Sequence, residues 1–280
     1  EDGVSACPAL IDLHDCLTLL FQRASRMETR VWRKLELRAE SWSIARLERG
    51  LSKAFKAIIV NSPVDANYMQ SLLPDGRVVT IPNGVDSEYF TPSPEATVES
   101  TLVFTGVMNY GPNEDAVLYL CESIWPLVRS RYPAARLLLV GKDPTARVSA
   151  LSGREGVHVT GEVADVRPYI NGATIFVCPL RYGAGVKNKV LAALAMKKPV
   201  VATSISIEGL ELHHGQELLV AEDAAAFADH ITYLLDHPAV GTSLAQAGQA
   251  AVRSRYTWAA SGQMLEDTLV EIAGPSQGRR

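Results

Sequence analysis

Hydrophobic and polar positions divide the chain into two kinds of segment. Between Cys16 and Phe55 the apolar residues recur at helical spacing, and no Gly or Pro occurs before Gly50, which predicts one long helix or two. Further on, apolar runs of four to six residues alternate with helical patterns. The predicted strands are 57–60, 77–81, 101–105, 136–140, 157–160, 174–179, 199–203 and 217–220. This alternation is typical of a parallel sheet covered by helices on both faces.

Helical patterns fill the spaces between these strands. The dipeptide Ser-Pro at 62–63 marks a helix start. Later helices are predicted at 113–131, 165–171, 186–197, 223–236, 239–254 and 257–272. The Pro- and Ser-containing stretch 91–100 indicates a linker. We therefore expect an α/β chain with a Rossmann-like C-terminal domain at 96–256. Part of another domain and a hinge would precede it at 1–95, and a helix and tail would follow at 257–280.

Composition excludes several classes of protein. With 280 residues, the chain is long enough for about two domains. Its net charge of −4 and pI of about 5.9 predict no bulk attraction to nucleic acid or to an anionic membrane. The charge run in the first helical segment predicts a solvated face and, secondarily, a docking surface. The longest apolar runs fall short of the roughly 20 residues that a membrane span needs.

The cysteines and the N-terminus add two expectations. Cys7, Cys16, Cys121 and Cys178 show no CxxC spacing, which argues against zinc and redox motifs and favours buried thiols in a reducing cytoplasm. The chain begins with neither an initiator Met nor a signal peptide. We therefore expect a fragment of a longer protein.

Two loops that follow predicted strands are candidates for ligand binding, because ligands of open parallel sheets collect at the carboxyl ends of the strands. In the stretch 104–116, Gly106 permits close approach to the backbone, and Asn113 is predicted to cap the following helix. In the stretch 179–201, two glycines precede a helix that carries no acid.

This second loop has the chemistry of an anion site. Gly183 and Gly185 relieve crowding before the free N–H groups of a helix start, where the helix dipole favours negative charge. Arg181, Lys187 and Lys189 add positive charge suited to phosphate. The loop alone leaves two hypotheses open, a phosphate site and an ordinary tight turn with solvated lysines.

A dinucleotide site is a rival interpretation of the same loop. The segment "GAGVKN" nearly matches the glycine fingerprint of such sites, and Glu208 follows the next strand at about the right distance. However, Asn188 replaces the third glycine, and the unit comes late in its domain. Both features disfavour nicotinamide binding.

Several motifs together resemble the group 1 glycosyltransferases of GT-B fold. They are similar in particular to bacterial sugar transferases associated with exopolysaccharide and exosortase gene clusters. The similarity runs from about Lys56 to Trp258. Its motifs are "VVTIPNGVDSEYFTP", "LVFTGVMNYGPNEDAV", "LLLVGKDPTARV", "VHVTGEVADVRPYI", "VCPLRYGAGVKNKVLAALAMKKPVVAT" and "IEGLELHHGQELLVAED". The resemblance implies two facing Rossmann-like domains, with the nucleotide-sugar donor held mainly by the C-terminal one.

The resemblance also implies site residues. Gly106 would lie in a glycine loop near the donor, the backbone around Val163 near the nucleobase, and Lys189 near the diphosphate. The positions expected to bind the donor are Gly106, Val163, Arg181, Gly185, Val186, Lys187, Asn188, Lys189 and Ala192. Backbone N–H groups of 185–188 would stabilise the charge on the leaving diphosphate. There is no DxD motif, so neither a metal nor a cofactor is expected.

The chain departs from the family pattern at two carboxylates. The family's Glu-x7-Glu pair falls on Ala184 and Ala192, and the second Glu would hold the ribose hydroxyls. About one hundred residues of an acceptor-binding domain are expected upstream. Asp12 and Asp15 are candidates for touching an acceptor, although capping or turn roles are expected first. His213 and His214 are expected to be surface residues.

Two functions follow from this resemblance. The first is a retaining glycosyltransferase of the hexosyltransferase type that transfers sugar from a nucleoside diphosphate sugar to a glycan or lipid-linked acceptor. Such an enzyme would act in cell-surface or exopolysaccharide biosynthesis, in the cytoplasm or at the inner face of the membrane through peripheral association, with no role for nucleic acid. The alternative is a non-catalytic fragment or pseudoenzyme that binds nucleotide or pairs with another polypeptide.

Overall fold

A computed structural model describes residues 8–93 and 97–273. It contains two parallel sheets in succession along the chain. The first sheet has strands β1 (Leu10–His14), β2 (Ala57–Val60) and β3 (Val78–Thr80), in that spatial order. The four helices beside it are α1 (Leu17–Met27), α2 (Val31–Glu48), α3 (Leu51–Ala54) and α4 (Pro63–Leu72). The helical pattern of 16–55 thus forms two long helices, as one of the two expectations had it, and the four-residue α3 in addition.

The start of α1 depends on a carboxylate from α2. Glu48 is 5% exposed, and its oxygens accept from the Leu17 N–H at 3.0 Å and from the Thr18 hydroxyl at 2.5 Å. The first turn of a helix carries N–H groups without helical partners, and the N-cap residue Cys16 supplies no side-chain bond. Glu48 therefore fixes α2 against α1.

The second sheet has six strands in the order β6-β5-β4-β7-β8-β9, all parallel. The strands are β4 (Thr101–Thr105), β5 (Arg136–Val140), β6 (Val157–Gly161), β7 (Ile175–Cys178), β8 (Val200–Ala202) and β9 (Leu219–Val220). The helices are α5 (Gly111–Tyr119), α6 (Trp125–Arg131), α7 (Ala146–Ser149), α8 (Arg167–Gly172), α9 (Asn188–Ala195), α10 (Ala224–Asp236), α11 (Pro238–Arg255) and α12 (Trp258–Ala273). The predicted strands and later helices occur within two residues at each end, except that the helix predicted at 113–131 comprises α5, a π-helical segment (Leu120–Ile124) and α6.

The strand order reverses between β4 and β7. The chain runs outward from β4 to β6, then returns to the other side of β4 and continues outward to β9. Loops that leave the two central strands diverge there, which makes a crevice at the carboxyl ends of β4 and β7. Every residue of these two strands is buried, because helices cover both faces of the sheet.

The C-terminal helices return to the first half of the chain. The Val85 N–H donates to the Tyr256 carbonyl at 2.9 Å, and the Ser261 hydroxyl donates to the Pro82 carbonyl at 2.7 Å. Residues 94–96, in the expected linker, lie outside the described residues, as do 1–7 with Cys7 and the tail 274–280. The domain boundaries remain predictions.

Two further expectations can be compared with the fold. Cys16, Cys121 and Cys178 are free and buried, as predicted. Burial raises the pKa of the Cys16 and Cys121 thiols to about 12, so neither is poised as a nucleophile. Within 8–93 and 97–273, no helix combines the length and the apolar content needed to cross a bilayer.

Candidate functional site

A pocket of about 270 Å³ opens at the crevice between β4 and β7. Three of the predicted site residues, Asn188, Lys189 and Ala192, line it from the first turns of α9. The other lining residues are Gly84, Val85, Asp86, Phe90, Thr105, Val166, Ile170 and Trp258. The structure therefore brings the start of α9 together with the end of β4, the turn after β3 and the start of α12.

Apart from the exposed carboxylate of Asp86, the charged group that lines this pocket is Lys189. Its ammonium donates to the Asn113 side-chain oxygen at 2.5 Å and lies 4.2 Å from the centre of the Phe104 ring. Both partners are uncharged. Burial, with the nearby Lys187 ammonium as a smaller contribution, lowers the pKa of Lys189 to about 8. A buried cation with neutral partners is costly, so the site favours the arrival of an anion.

Gly106 lies directly beside this lysine, at the end of β4. A Cβ atom added to Gly106 would stand 2.7 Å from both the Lys189 ammonium and the Asn113 side-chain nitrogen. The absence of a side chain at 106 thus lets the ammonium reach the strand end. The predicted capping role of Asn113 is wrong, because α5 begins at Gly111 and Asn113 instead donates to the Val107 carbonyl at 2.8 Å.

The loop before α9 is held by the first half of the chain. The Gly185 N–H donates to a carboxylate oxygen of Asp65 at 3.0 Å, and the Val186 N–H donates to the Asn61 side-chain oxygen at 2.9 Å. Both N–H groups were expected to donate to a diphosphate. In this structure the two N–H groups donate to protein oxygens instead, because Gly185 has no side chain and lets Asn61 and Asp65 approach the loop closely. Lys187 is the N-cap residue of α9, and Asn188 is the first residue of the helix.

Asp15 completes this contact between the halves. Gly185 has a φ of +66°, and an added Cβ there would overlap the Asp15 carboxylate. The Asn61 side chain donates to that carboxylate at 2.9 Å. Burial and the nearby Asp65 charge raise the pKa of Asp15. A positive φ and a touching carboxylate both require glycine at 185.

A partly buried ion pair closes the same interface. The Arg23 guanidinium donates to both Glu208 oxygens, at 2.5 and 2.8 Å, and to the Gly183 carbonyl at 2.7 Å. The acid that a dinucleotide site would have used is therefore bound to an arginine. Lys187 is 8% exposed and donates to the Gly185 carbonyl, and burial lowers its pKa. Lys187 thus stabilises its own loop.

Arg181 and Val163, which were also predicted to bind the donor, lie away from the pocket. The Arg181 guanidinium donates to Asp115, at 2.9 Å from Nε, and lies over the Tyr119 ring. It lines a separate cleft of about 880 Å³ between α1, α2 and α5, so the geometry does not support its expected role at the phosphates. Val163 packs against the core after β6, and Val166 lines the pocket instead.

The remaining candidates follow their structural expectations. His213 and His214 are exposed, and the His214 ring accepts from the Val220 N–H at 3.0 Å. Asp12 accepts from the His14 N–H at 3.0 Å at the end of β1, which is the expected turn role. Within the described part of the chain, no group of His, Cys, Asp and Glu side chains has the arrangement of a metal site.

Several residues of the site were not found from the sequence. Asn61, Asp65 and Arg23 act across the interface between the halves, and the only sequence signal in this region was the helix start predicted at Ser-Pro 62–63. Asn113 was noted for the wrong role. Trp258 and Phe90 enter the pocket from elements outside the main sheet, and no local pattern marks them.

A six-stranded parallel sheet with a reversed strand order and a crevice at the carboxyl ends of its central strands defines a Rossmann-like domain. A family model described as "Glycosyl transferases group 1" matches residues 99–237, which carry this sheet. The part of the chain that carries the second sheet therefore matches this family. The chain is also similar to the phosphatidyl-myo-inositol mannosyltransferase of Mycobacterium tuberculosis, with 27% identity over 210 residues that cover 70% of the chain and 54% of that protein.

Other comparisons add a further relative and agree on the fold. An uncharacterized 44.6 kDa protein in the cps region of Klebsiella pneumoniae is 27% identical over 138 residues, which cover 46% of this chain and 36% of that protein. The solved sucrose-phosphate synthase of Thermosynechococcus elongatus matches with a TM-score of 0.72 and 21% identity, over 92% of this chain and 66% of that one. Anabaena Alr3699/HepE, solved with UDP and glucose, matches with a TM-score of 0.72 and 15% identity, over 94% of this chain and 71% of that one. The fold is GT-B-like, and the chain spans about half or less of its curated relatives.

Proposed function

We propose that this chain is the donor-binding part of a retaining glycosyltransferase of the hexosyltransferase type. The donor is a nucleoside diphosphate sugar, and the acceptor is a glycan or a lipid-linked glycan of cell-surface or exopolysaccharide biosynthesis. One observation carries the proposal. The Lys189 ammonium lies among neutral partners at the crevice between β4 and β7, where a diphosphate would supply the missing negative charge.

The chemistry follows from this geometry. When the bond between sugar and diphosphate breaks, negative charge develops on the leaving phosphate oxygen. Lys189, held in place by Asn113, neutralises that charge without having to move from solvent. Gly106 leaves room for the phosphate oxygens beside the ammonium. The lysine supplies the positive charge, so the proposal requires neither a metal nor a cofactor.

The comparisons support the choice of ligand and setting. Among the similar folds are Anabaena Alr3699/HepE, solved with UDP-glucose, and the pneumococcal O-GlcNAc transferase GtfA, solved with UDP and GlcNAc. The Klebsiella relative comes from a cps region. These properties belong to those proteins. For this chain they favour a sugar nucleotide and a surface glycan, and we place the reaction in the cytoplasm, at the inner face of the membrane.

Calorimetric titration with UDP and GDP, in the presence of a chelator, tests the proposal. We expect weak binding by the parent chain and at least a tenfold loss in Lys189→Met, since a charged hydrogen bond contributes about 1.5–3 kcal/mol. Lys53→Met, which removes an exposed lysine from α3, is the matched control and should bind like the parent. Equal binding by Lys189→Met and the parent would refute the site.

A second function is favoured by one observation, the apolar residues at the family's carboxylate positions. Ala184 and Ala192 are both buried, at 6% exposure, and neither supplies a carboxylate. A chain that binds nucleotide without transferring sugar, or that pairs with another polypeptide, would keep Lys189 and lose these carboxylates. Release of nucleoside diphosphate from sugar nucleotides, measured with a glycan acceptor present, separates this function from transfer.

A further inference from the structure

Charge is distributed very unevenly along this chain. Between 23 and 56 there are ten basic and four acidic residues, whereas the whole chain has a net charge of −4. Most of these cations belong to α2 and its flanking turns. One helix and its ends thus form a local positive region on an acidic protein, which favours an anionic partner at that surface.

The outer face of α2 is also apolar. The side chains buried on its inner face are Leu37, Ser41, Ala45 and Glu48. Most of its large apolar side chains are instead exposed, with Trp32 at 81% exposure, Leu47 at 73%, Val31 at 69%, Trp42 at 64% and Leu35 at 49%. At about 100° per residue, Val31, Trp42, Leu35 and Trp32 fall in one stripe about 100° wide. We call these four residues the α2 stripe.

The cations are arranged around this stripe. Arg38, Arg46 and Arg49 are exposed, with Arg46 within the stripe and the other two along one edge. The acids of α2 lie on the opposite edge, where Glu36 and Glu40 pair with Arg33 at 2.9 and 3.9 Å. The exposed face of α2 therefore carries both the tryptophans of the stripe and neighbouring arginines whose charges are available to a partner.

The α2 stripe also adjoins the larger cleft. Arg30 and Arg33 line the cleft of about 880 Å³ between α1, α2 and α5. Val31 and Trp32 lie between them in sequence and point outward. A surface that covers the stripe would thus meet the mouth of this cleft, which lies beside the loop after β4 through Tyr110 and Gly111.

We propose that the α2 stripe docks on an anionic lipid bilayer. Tryptophan rings prefer the interface between headgroups and acyl chains, and arginine guanidiniums pair with lipid phosphates while their stems lie along apolar surface. Both groups occur on one helix face, and the charge of that face complements an anionic leaflet. Nucleic acid would use the arginines but would leave Val31 and Leu35 exposed. This inference extends the membrane location in the proposed function and is tested without transfer activity.

Sedimentation with vesicles tests the inference. The parent chain should bind vesicles of phosphatidylcholine mixed with phosphatidylglycerol, bind phosphatidylcholine alone much less, and be released by salt. The double variants Trp32→Ser with Trp42→Ser, and Arg38→Glu with Arg46→Glu, should each bind about tenfold less or weaker still. The control is Leu269→Ser with Val270→Ser, which removes exposed apolar residues of α12 and should bind like the parent.

The outcomes separate the possible occupants of the stripe. Unchanged unfolding temperatures and UDP binding show that the variants are folded, because these side chains lie outside the pocket of Lys189. If the parent chain does not bind anionic vesicles, the inference is overturned, and another polypeptide becomes the partner that would cover the stripe. Vesicle binding that survives the tryptophan substitutions, or that the α12 control loses equally, also overturns it. Failure of UDP binding alone would affect only the proposed function.

Discussion

The Gly185 N–H donates to an Asp65 carboxylate oxygen at 3.0 Å, across 120 positions of sequence. Asp65 is fully buried in the first turn of α4, and its other oxygen accepts from the Cys16 N–H at 2.9 Å. One carboxylate thus joins the start of α1, the start of α4 and the loop after β7. This residue couples the first sheet to the loop that precedes the candidate phosphate site.

Replacing Asp65 should therefore loosen both halves. Asp65→Ala removes the acceptor for two buried N–H groups, and we expect the free energy of unfolding to fall by about 2–4 kcal/mol. Hydrogen exchange at Gly185 should become faster as well. Chemical denaturation and exchange mass spectrometry measure the two effects. Asp75→Ala, at an exposed acid, should change stability by less than about 0.5 kcal/mol. Equal effects of the two substitutions would contradict the coupling.

The sheet could be predicted because its signal is local. The buried strands β4 and β7 are runs of apolar residues, and the helices between strands carry their own periodicity, so the boundaries of both were found within two residues. The glycines at 106 and 185 also indicated that other atoms approach the backbone closely at these positions. Which atoms approach was not predictable, because Lys189 and Asn113 meet only after the strand order is fixed.

The partners of the loop show where sequence reasoning stops. Asn61 directly follows β2 and Asp65 belongs to α4, and no spacing within their own segment relates them to Gly185. Arg181 shows the opposite case. A basic residue beside two glycines suggests phosphate binding, but Asp115, on the adjacent α5, neutralises it. Side-chain pairing across elements decides such cases, and the chain pattern does not encode it locally.

Lys189 should carry a cost in stability. Burial lowers its pKa to about 8, so below that pH the folded protein holds a proton that the unfolded chain would bind more tightly. Lys189→Met should therefore raise the free energy of unfolding at neutral pH by about 1–2 kcal/mol while it weakens UDP binding. The gain should vanish as pH rises toward the ordinary lysine pKa. A destabilised Lys189→Met with normal UDP affinity would mean a purely structural lysine.

Nucleoside diphosphate binding should depend on pH in the same range. A bound phosphate raises the Lys189 pKa above its free value of about 8, so binding above that pH takes up a proton and weakens, by at most about tenfold per pH unit. Calorimetry in two buffers of different ionisation enthalpy measures the uptake. Lys189→Arg keeps the charge without titrating and should lose the dependence. Affinity that stays constant from about pH 7 to about pH 9 would exclude Lys189 from the phosphates.

Gly106 offers a steric test of the same contact. In Gly106→Ala the new methyl group would displace the Lys189 ammonium and the Asn113 amide, each 2.7 Å away. UDP affinity should fall about tenfold, which corresponds to about 1.4 kcal/mol. Gly153→Ala is the matched control, because an added Cβ there has nothing within 4 Å. If both variants bind UDP like the parent, the phosphates do not approach the end of β4.

The acid-free helix α9 gives the last prediction. Ala192 lines the pocket three residues after Lys189. The resemblance to the family assigns a ribose-binding Glu to this position. Ala192→Glu should tighten UDP binding by about 1–2 kcal/mol, because a carboxylate would again accept from the ribose hydroxyls. A deoxyribose analogue is the control, since the variant should prefer the ribose form and the parent should hardly distinguish the two. Lys189→Ala should weaken binding in both backgrounds, since it acts on the phosphates. Equal UDP affinity of the parent and a folded Ala192→Glu would place the ribose elsewhere.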